Sequence, residues 1–233
     1  MNEYIIGIDI GGTTYSSALF NSKLELVSKS KKELTSVLLS AESFLESLTD
    51  QVKSLINSSR GIIGIGIACP GPLDSKNGVI LETPNLKIMR NLHLKKEPED
   101  RLELPVYIDN DANLFALGEW FLDSKDNSKI FGGVTIGTGL GFGIIINGKI
   151  FSGAHGLAAE YAISPLEYGN WESKVSLSAI KKIAGKYLKD KNLDPKDLYE
   201  MAASGNEDAK RTWVEFGENL GVALSHFINL IDP

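Results

Sequence analysis

Four polar residues stand together where an apolar run gives way to a helix-like one: Asp109, Asn110, Asp111 and Asn113, in the segment Val-Tyr-Ile-Asp-Asn-Asp-Ala-Asn. A carboxylate at such a junction can accept the proton of a hydroxyl as its oxygen attacks phosphorus. A neighbouring amide can fix a second hydroxyl. Open α/β sheets expose their ligand groups where a strand ends and a helix begins. The same residue types also suit a helix N-cap, and one of them is expected to cap. Two Asp and two Asn together exceed what a cap needs, which favours a polar site.

Two glycine turns carry the second kind of chemistry. Asp9-Ile10-Gly11-Gly12-Thr13-Thr14 joins two strand-like runs, and Gly137-Thr138-Gly139-Leu140-Gly141-Phe142-Gly143 joins two more. Glycine lets backbone N–H groups approach an anion without a Cβ in the way. Thr13, Thr14 and Thr138 can add hydroxyl donors, and Asp9 can hold Mg²⁺ directly or through water. Either turn alone could be an ordinary hairpin. Two related turns, one with an Asp and both with Thr, favour a phosphate clamp. The glycines lead into a strand rather than a helix, which is not the dinucleotide fingerprint, and no Gly-Lys-Ser/Thr of a P-loop follows.

The elements that must position these residues follow from apolar spacing. Runs at 5–10, 14–20, 24–28, 62–68 and 105–109 are expected strands. Residues 36–57 have helical spacing, with Ala41, Leu45, Leu48, Val52, Leu55 and Ile56 on one face. Residues 84–101 are expected to form a charged loop and 112–122 a helix. Further strands are expected at 129–136, 142–146 and 149–151, and helices at 175–189, 195–203 and 207–231. Asn206 and Ser204 are candidate caps. The halves repeat. A shift of 126 residues lays 5–10 on 131–136, Gly11 on Gly137, 16–20 on 142–146 and Asn21 on Asn147 without a gap. A duplicated strand–turn–strand unit is the better reading, with a boundary near 112–119.

Composition narrows the classes. The chain has 233 residues, 42% hydrophobic, enough for one large core or two small ones. A net charge of -6 leaves no electrostatic footprint for nucleic acid or for a membrane surface. No run reaches the roughly 18 apolar residues of a membrane span. Cys69 is the single cysteine, so no intramolecular disulfide forms, and a reducing, cytoplasmic setting is expected. Cys69 reads as a small core residue.

Taken in order, these segments resemble the ROK family of bacterial sugar kinases. IGIDIGGTT is similar to the family's first phosphate motif. GIACPGPLD and TPNL are similar to the segment leading into its sugar domain, and IDNDANLFALGEW to its catalytic segment. TIGTGLGFGIIINGKIFSGAHGLAAE is similar to its second phosphate motif and the sugar-binding stretch. The likeness runs from about residue 4 to residue 182. It implies an α/β fold of the actin/hexokinase/ribonuclease H-like ATPase type, a duplicated βββα unit in two domains around a cleft, here 1–112 and 113–233. It implies ATP with Mg²⁺ as donor and a hexose or N-acylhexosamine as acceptor. Asp111 matches the family's general base, and Asn110, Glu160 and Glu172 match its sugar ligands. Asp9, Gly11, Gly12, Thr13, Thr14, Gly137, Thr138 and Gly139 match its nucleotide-binding turns. By spacing alone Glu160 and His155 read as surface residues. Members of this family often dimerise. Two rivals stay open: a non-catalytic sugar sensor, and another kinase of the same ATPase superfamily.

Two departures from the family pattern matter. After Glu160 the family continues towards a His and a Cys-rich loop that bind structural zinc. Here Ile163 stands at the His position, and no Cys follows Cys69. A thiolate-rich zinc site is therefore excluded, and one sugar contact of the family is missing. The family also continues past a motif like NLIDP with structure that holds adenosine, whereas this sequence stops at Pro233. The 233-residue chain alone is accordingly expected to bind sugar, to bind ATP poorly and to phosphorylate slowly. On the first departure, elemental analysis of the purified protein is expected to find no stoichiometric zinc, and a chelator should leave its circular dichroism unchanged; one tightly held zinc per chain would refute this.

Overall fold

The computed structural model of the chain describes residues 3–35, 39–56, 61–81, 87–124, 128–190 and 192–233. The chain divides into two compact units, Met1–Leu114 and Phe115–Pro233.

The first unit is built on a sheet whose core is parallel. Strand β1 (Tyr4–Ile10) pairs antiparallel with β2 (Thr14–Asn21) and parallel with β5 (Ile62–Cys69), which in turn pairs parallel with β8 (Val106–Asn110). The short strands β3 (Leu26–Lys29) and β4 (Glu33–Leu34) both pair with β2. Register places Ile6 beside Ile65 and Val106, and Ile8 beside Ile67 and Ile108. All six are buried, while Asp9, between Ile8 and Ile10, is exposed. Helix α1 (Ala41–Ile56) supplies Phe44, Leu45, Leu48, Val52 and Leu55 to the same core. Their spacing follows one face of a helix. The edge ring of Tyr15 packs on Phe44 with centroids 5.3 Å apart.

Three expectations change here. Residues 84–101 are not simply a loop: a 3-10 turn covers Lys87–Met89, and α2 (Lys96–Leu102) follows. Pro98 hid that helix in the sequence. It lies in the first turn, where a missing N–H costs nothing, and its ring is buried. A small hairpin of β6 (Leu73–Asp74) and β7 (Val79–Ile80) also went unseen. The third strand begins at Leu26, not residue 24, because Leu24 takes a left-handed φ of 62° in the turn. Of the expected helix at 36–57, residues 36–38 and 57 lie outside the described residues, as does TPNL at 83–86.

The second unit opens with α3 (Asp111–Glu119), which begins in the first unit, and a π-helical turn at Trp120–Ser124. An antiparallel sheet follows in the order β11-β10-β9: β9 (Ile130–Ile136), β10 (Leu140–Ile146) and β11 (Lys149–Ile150). A 3-10 turn at Glu160–Ile163 leads to α4 (Leu177–Tyr187), α5 (Pro195–Ala203) and α6 (Glu207–Ile231). Phe142, Trp171, Ile180, Leu198, Phe216 and Phe227 form its core. Asn206 caps α6 through Ala209 N–H, and Ser204 sits at the C-terminal end of α5.

The two hairpins are related but not in gapless register. Ile10 faces Tyr15 in the first, whereas Ile136 faces Leu140 in the second. The second glycine turn is therefore one residue shorter, and Phe20 corresponds in pairing to Ile145 rather than Ile146. The turn into the third strand differs too. Asn147-Gly148 forms a two-residue link with φ of 50° and 76°, a geometry Gly accepts without strain.

A polar network joins β4 to α1. Glu33 Oε2 accepts from Tyr15 OH at 2.7 Å and from Ser47 Oγ at 2.8 Å, and Ser17 Oγ donates to Gln51 Oε1 at 2.6 Å. Burial pushes the Tyr15 phenol up to about 12. The hydrogen bond from Tyr15 holds the Glu33 carboxyl below its usual value. Glu33 lines an open groove with Lys31, Glu46 and Asp50. A folded pKa that is depressed gives stability present above the unfolded value and lost as pH falls through the folded one. Glu33→Gln should therefore cost about 1 kcal/mol at neutral pH, the low end for a bond to a charged group because solvent screens this carboxylate. Urea melts of both proteins should show the gap closing as pH falls below the ordinary carboxylate range; a gap independent of pH would contradict the role given to the Glu33 charge.

Candidate functional site

In the first unit the acids gather at the C-terminal ends of the three parallel strands. Asp9 of β1 is level with Ala68 of β5, and Ala68 with Asp109 of β8. Two strand spacings separate Asp9 from Asp109, about 10 Å. Asp111 opens α3 directly after β8. Its carboxyl keeps an exposed edge, yet burial pushes it above the ordinary carboxylate value and the negative Asp9 adds to that. Cys69 is fully buried, and burial raises its thiol to about 12, with Asp111 and Asp109 contributing. It is an inert core residue.

The strand-to-helix junction is held by its own side chains. Asn110 Oδ1 accepts from Ala112 N–H at 2.9 Å and from Asn113 N–H at 3.3 Å, so Asn110 is the N-cap of α3. Asp109 Oδ1 accepts from Asn110 N–H at 2.7 Å and from Asn113 Nδ2 at 2.9 Å. Asp111 Oδ1 accepts from Ala112 N–H at 2.9 Å. Asn113, the fourth polar residue of the cluster expected from the sequence, turns inward. It is 7% exposed, and its Oδ1 has no partner among the described residues. It stands four residues after Asp109, one helical turn into α3.

The first glycine turn is closed by Gly11 N–H donating to Thr14 C=O at 2.8 Å. Among the described residues, Gly12 and Thr13 donate to no backbone acceptor. Thr13 is exposed, and Thr14 begins β2. Asp9 and this turn thus share one hairpin. An exposed carboxylate beside a glycine turn with N–H groups unpaired among the described residues is of a kind that could suit Mg²⁺, which one or two carboxylates hold together with phosphates. The upward push that Asp9 gives Asp111 is the mark of a local negative excess that a cation would relieve. Among the described residues no three His, Cys, Asp or Glu side chains are grouped as a metal cage.

In the second unit Gly137 N–H donates to Gly139 C=O at 2.9 Å, and Leu177 N–H, the first of α4, donates to Gly137 C=O at 2.8 Å. Glu172 Oε2 accepts from Leu140 N–H at 3.1 Å. A Cβ at Gly139 would overlap that oxygen, which is why glycine stands there. Glu172 N–H donates to Ala162 C=O at 2.9 Å, within the 3-10 turn that begins with Glu160. The structure thus brings Glu160, Glu172, Gly137, Thr138 and Gly139 into one connected region. The Glu172 carboxylate lies on the second glycine turn itself, a placement the sequence did not suggest. Glu160, His155 and Ile163 are exposed.

The related hairpins, each with a glycine turn, define an actin/hexokinase-like α/β fold. A ROK-family glucokinase from Streptomyces griseus, solved in complex with glucose and AMPPNP, superposes with a TM-score of 0.84 at 27% identity, covering 99% of this chain and 80% of that one. The ROK family model matches residues 5–233, and the chain belongs to that family. A xylose repressor of Caldicellulosiruptor bescii is 32% identical over 98% of this chain, which spans 63% of the repressor. A glucokinase of Halalkalibacterium halodurans is 28% identical over 100% of this chain and 78% of its own length.

The junction makes a separable prediction. Asn110→Ala should destabilise the fold by about 1 kcal/mol through loss of the cap, whereas Asn110→Asp, itself a good cap, should not. If the Asn110 amide also holds a sugar hydroxyl, Asn110→Asp weakens sugar binding at unchanged melting temperature. Equal melting temperatures for Asn110→Ala and wild type would remove the cap assignment.

Proposed function

We propose that this chain carries the catalytic machinery of an ATP-dependent kinase for a hexose or N-acylhexosamine. The observation that supports it best is the Asp111 carboxyl at the end of β8, raised by burial and by Asp9, in the same unit as a glycine turn with free-facing amides. A base whose value is raised is better matched to a hydroxyl proton than an unperturbed carboxylate. In this reading Asp111 accepts that proton. The Asn110 amide and the Glu160 and Glu172 carboxylates orient the sugar. Gly11, Gly12, Thr13 and Thr14 hold phosphate oxygens in the first unit, as Gly137, Thr138 and Gly139 do in the second. Asp9 holds Mg²⁺, which when bound neutralises charge on the phosphates. Catalysis of this kind rests on positioning and on charge stabilisation.

A second reading has one specific observation behind it. Proteins named xylose repressors match this chain over nearly its whole length, at 30–32% identity. A sugar-binding module without turnover would keep the sugar-facing residues and not need the base. A panel of hexoses and hexosamines with ATP, read by ADP release, separates the two.

Asp111→Asn is expected to reduce turnover by about 10²–10⁴-fold while sugar affinity changes far less, since a base acts mainly in the transition state. Wild-type kcat/KM should fall as pH drops through the raised Asp111 value, where the base becomes protonated. Near-normal turnover in the variant, or an acid limb of kcat/KM that persists unchanged in Asp111→Asn, would take the role from Asp111.

A further inference from the structure

Two successive carbonyls of the first glycine turn are tied to one residue of a different strand. Thr35, 3% exposed, directly follows β4. Its N–H donates to Thr13 C=O at 2.9 Å, and its Oγ1 donates to Gly12 C=O at 3.1 Å. In a trans peptide the C=O of one residue and the N–H of the next point in opposite directions. Holding the Gly12 carbonyl on Thr35 therefore aims Thr13 N–H away from it. Holding the Thr13 carbonyl there aims Thr14 N–H away as well. Two consecutive amides aimed to one side make the concavity that backbone uses to bind anions.

Thr35 is itself fixed. Leu34 pairs with Thr14 and Glu33 with Tyr15, so β4 runs alongside the strand that leaves the turn. Glu33 is fastened in turn by Tyr15 and by Ser47 of α1. The hydroxyl of Thr35 is thus delivered to the turn from a braced position rather than from a free loop.

We propose that Thr35 is a positioning residue that sets the direction of the Thr13 and Thr14 amides in the first phosphate turn. Its use to a nucleotide rests on the kinase reading above; its hold on the turn does not. Thr35→Val keeps the shape and the N–H but leaves the Gly12 carbonyl without its donor. Thr35→Ser keeps the donor.

The test uses the full chain in three forms: wild type, Thr35→Val and Thr35→Ser. Amide hydrogen exchange, followed by NMR without ligand, should be about ten-fold faster at Gly11 in Thr35→Val, the effect of one lost hydrogen bond to a part-buried acceptor. Amides of β5 and α1 should exchange as in wild type, and Thr35→Ser should restore Gly11. Calorimetry with Mg²⁺ and AMPPNP should show about ten-fold weaker binding for Thr35→Val and recovery for Thr35→Ser, with affinity for glucose equal in all three. Unchanged Gly11 exchange in Thr35→Val, loosening spread evenly over the first unit, or failure of Ser to rescue would each overturn the proposal. If the wild type binds no AMPPNP, the kinase reading fails, and the exchange measurement still decides the role of Thr35.

Discussion

The first unit depends on the parallel register of β1, β5 and β8. Isoleucine and valine occupy every second position, so Ile6, Ile65 and Val106 form one buried row and Ile8, Ile67 and Ile108 the next. A slip of one residue would turn each row to the other face and carry Asp9 inward among them. Burying an unpaired carboxylate costs several kcal/mol, so the slip is closed off from both sides. The acids stand at the strand ends because the aliphatic rows leave them nowhere else. Asp9 and Asp109 come level with Ala68, a small residue, and Asp111 follows where the last strand becomes a helix.

Most of that framework was legible in the sequence because it is periodic. Short apolar runs marked β1, β5 and β8, and the 3.6-residue spacing of Leu45, Leu48, Val52 and Leu55 marked α1. The glycine turns and the Asp/Asn cluster were legible because their residue types are unusual in such density. What escaped is what lacks a period of its own. Helix α2 is short, charged and interrupted by Pro98, and its place is set by packing Pro98 into the core. The hairpin of β6 and β7 has two residues on each side, too few to show alternation. Thr35 gave no signal at all: one threonine in a polar stretch acquires meaning only when β4 lies beside β2. The Glu172 contact is likewise long-range, 32 residues from Leu140.

The repeat was legible as composition and misjudged as register. Both hairpins carry a glycine turn and an Asn at or just past the end of the second strand, so a gapless shift aligns their letters. Pairing shows that the second turn is a residue shorter. Strand pairing tolerates such a change only if the side chains on each face are redistributed. The difference is visible in β10, where Phe142, Gly143, Ile144 and Ile145 are all buried, a run without alternation. A strand buried on both faces has no exposed face to keep polar, which relaxes the pressure for a fixed register.

The two turns also differ in what supports them, and this makes them unequal as anion sites. In the first, the buttress is a neutral hydroxyl and an amide, and it acts on carbonyls. That leaves the Gly12 and Thr13 N–H groups without a backbone acceptor among the described residues, and the carboxylate of that hairpin, Asp9, accepts no hydrogen bond from the turn among those residues. In the second, the buttress is the Glu172 carboxylate, and it consumes an N–H, that of Leu140. A carboxylate against the turn lowers the local potential by an amount that falls off with solvent screening but does not vanish at contact distance. The second turn therefore offers fewer donors against an adverse charge while Glu172 remains in place. A phosphate can occupy it fully only if Glu172 yields the Leu140 amide or its charge is compensated. Because the Glu172 backbone is bound to Ala162 in the turn that starts at Glu160, such a shift would be felt along the same segment that bears the carboxylate proposed to hold sugar. The first turn carries no such carboxylate contact among the described residues, so the phosphate role proposed for it needs no such exchange.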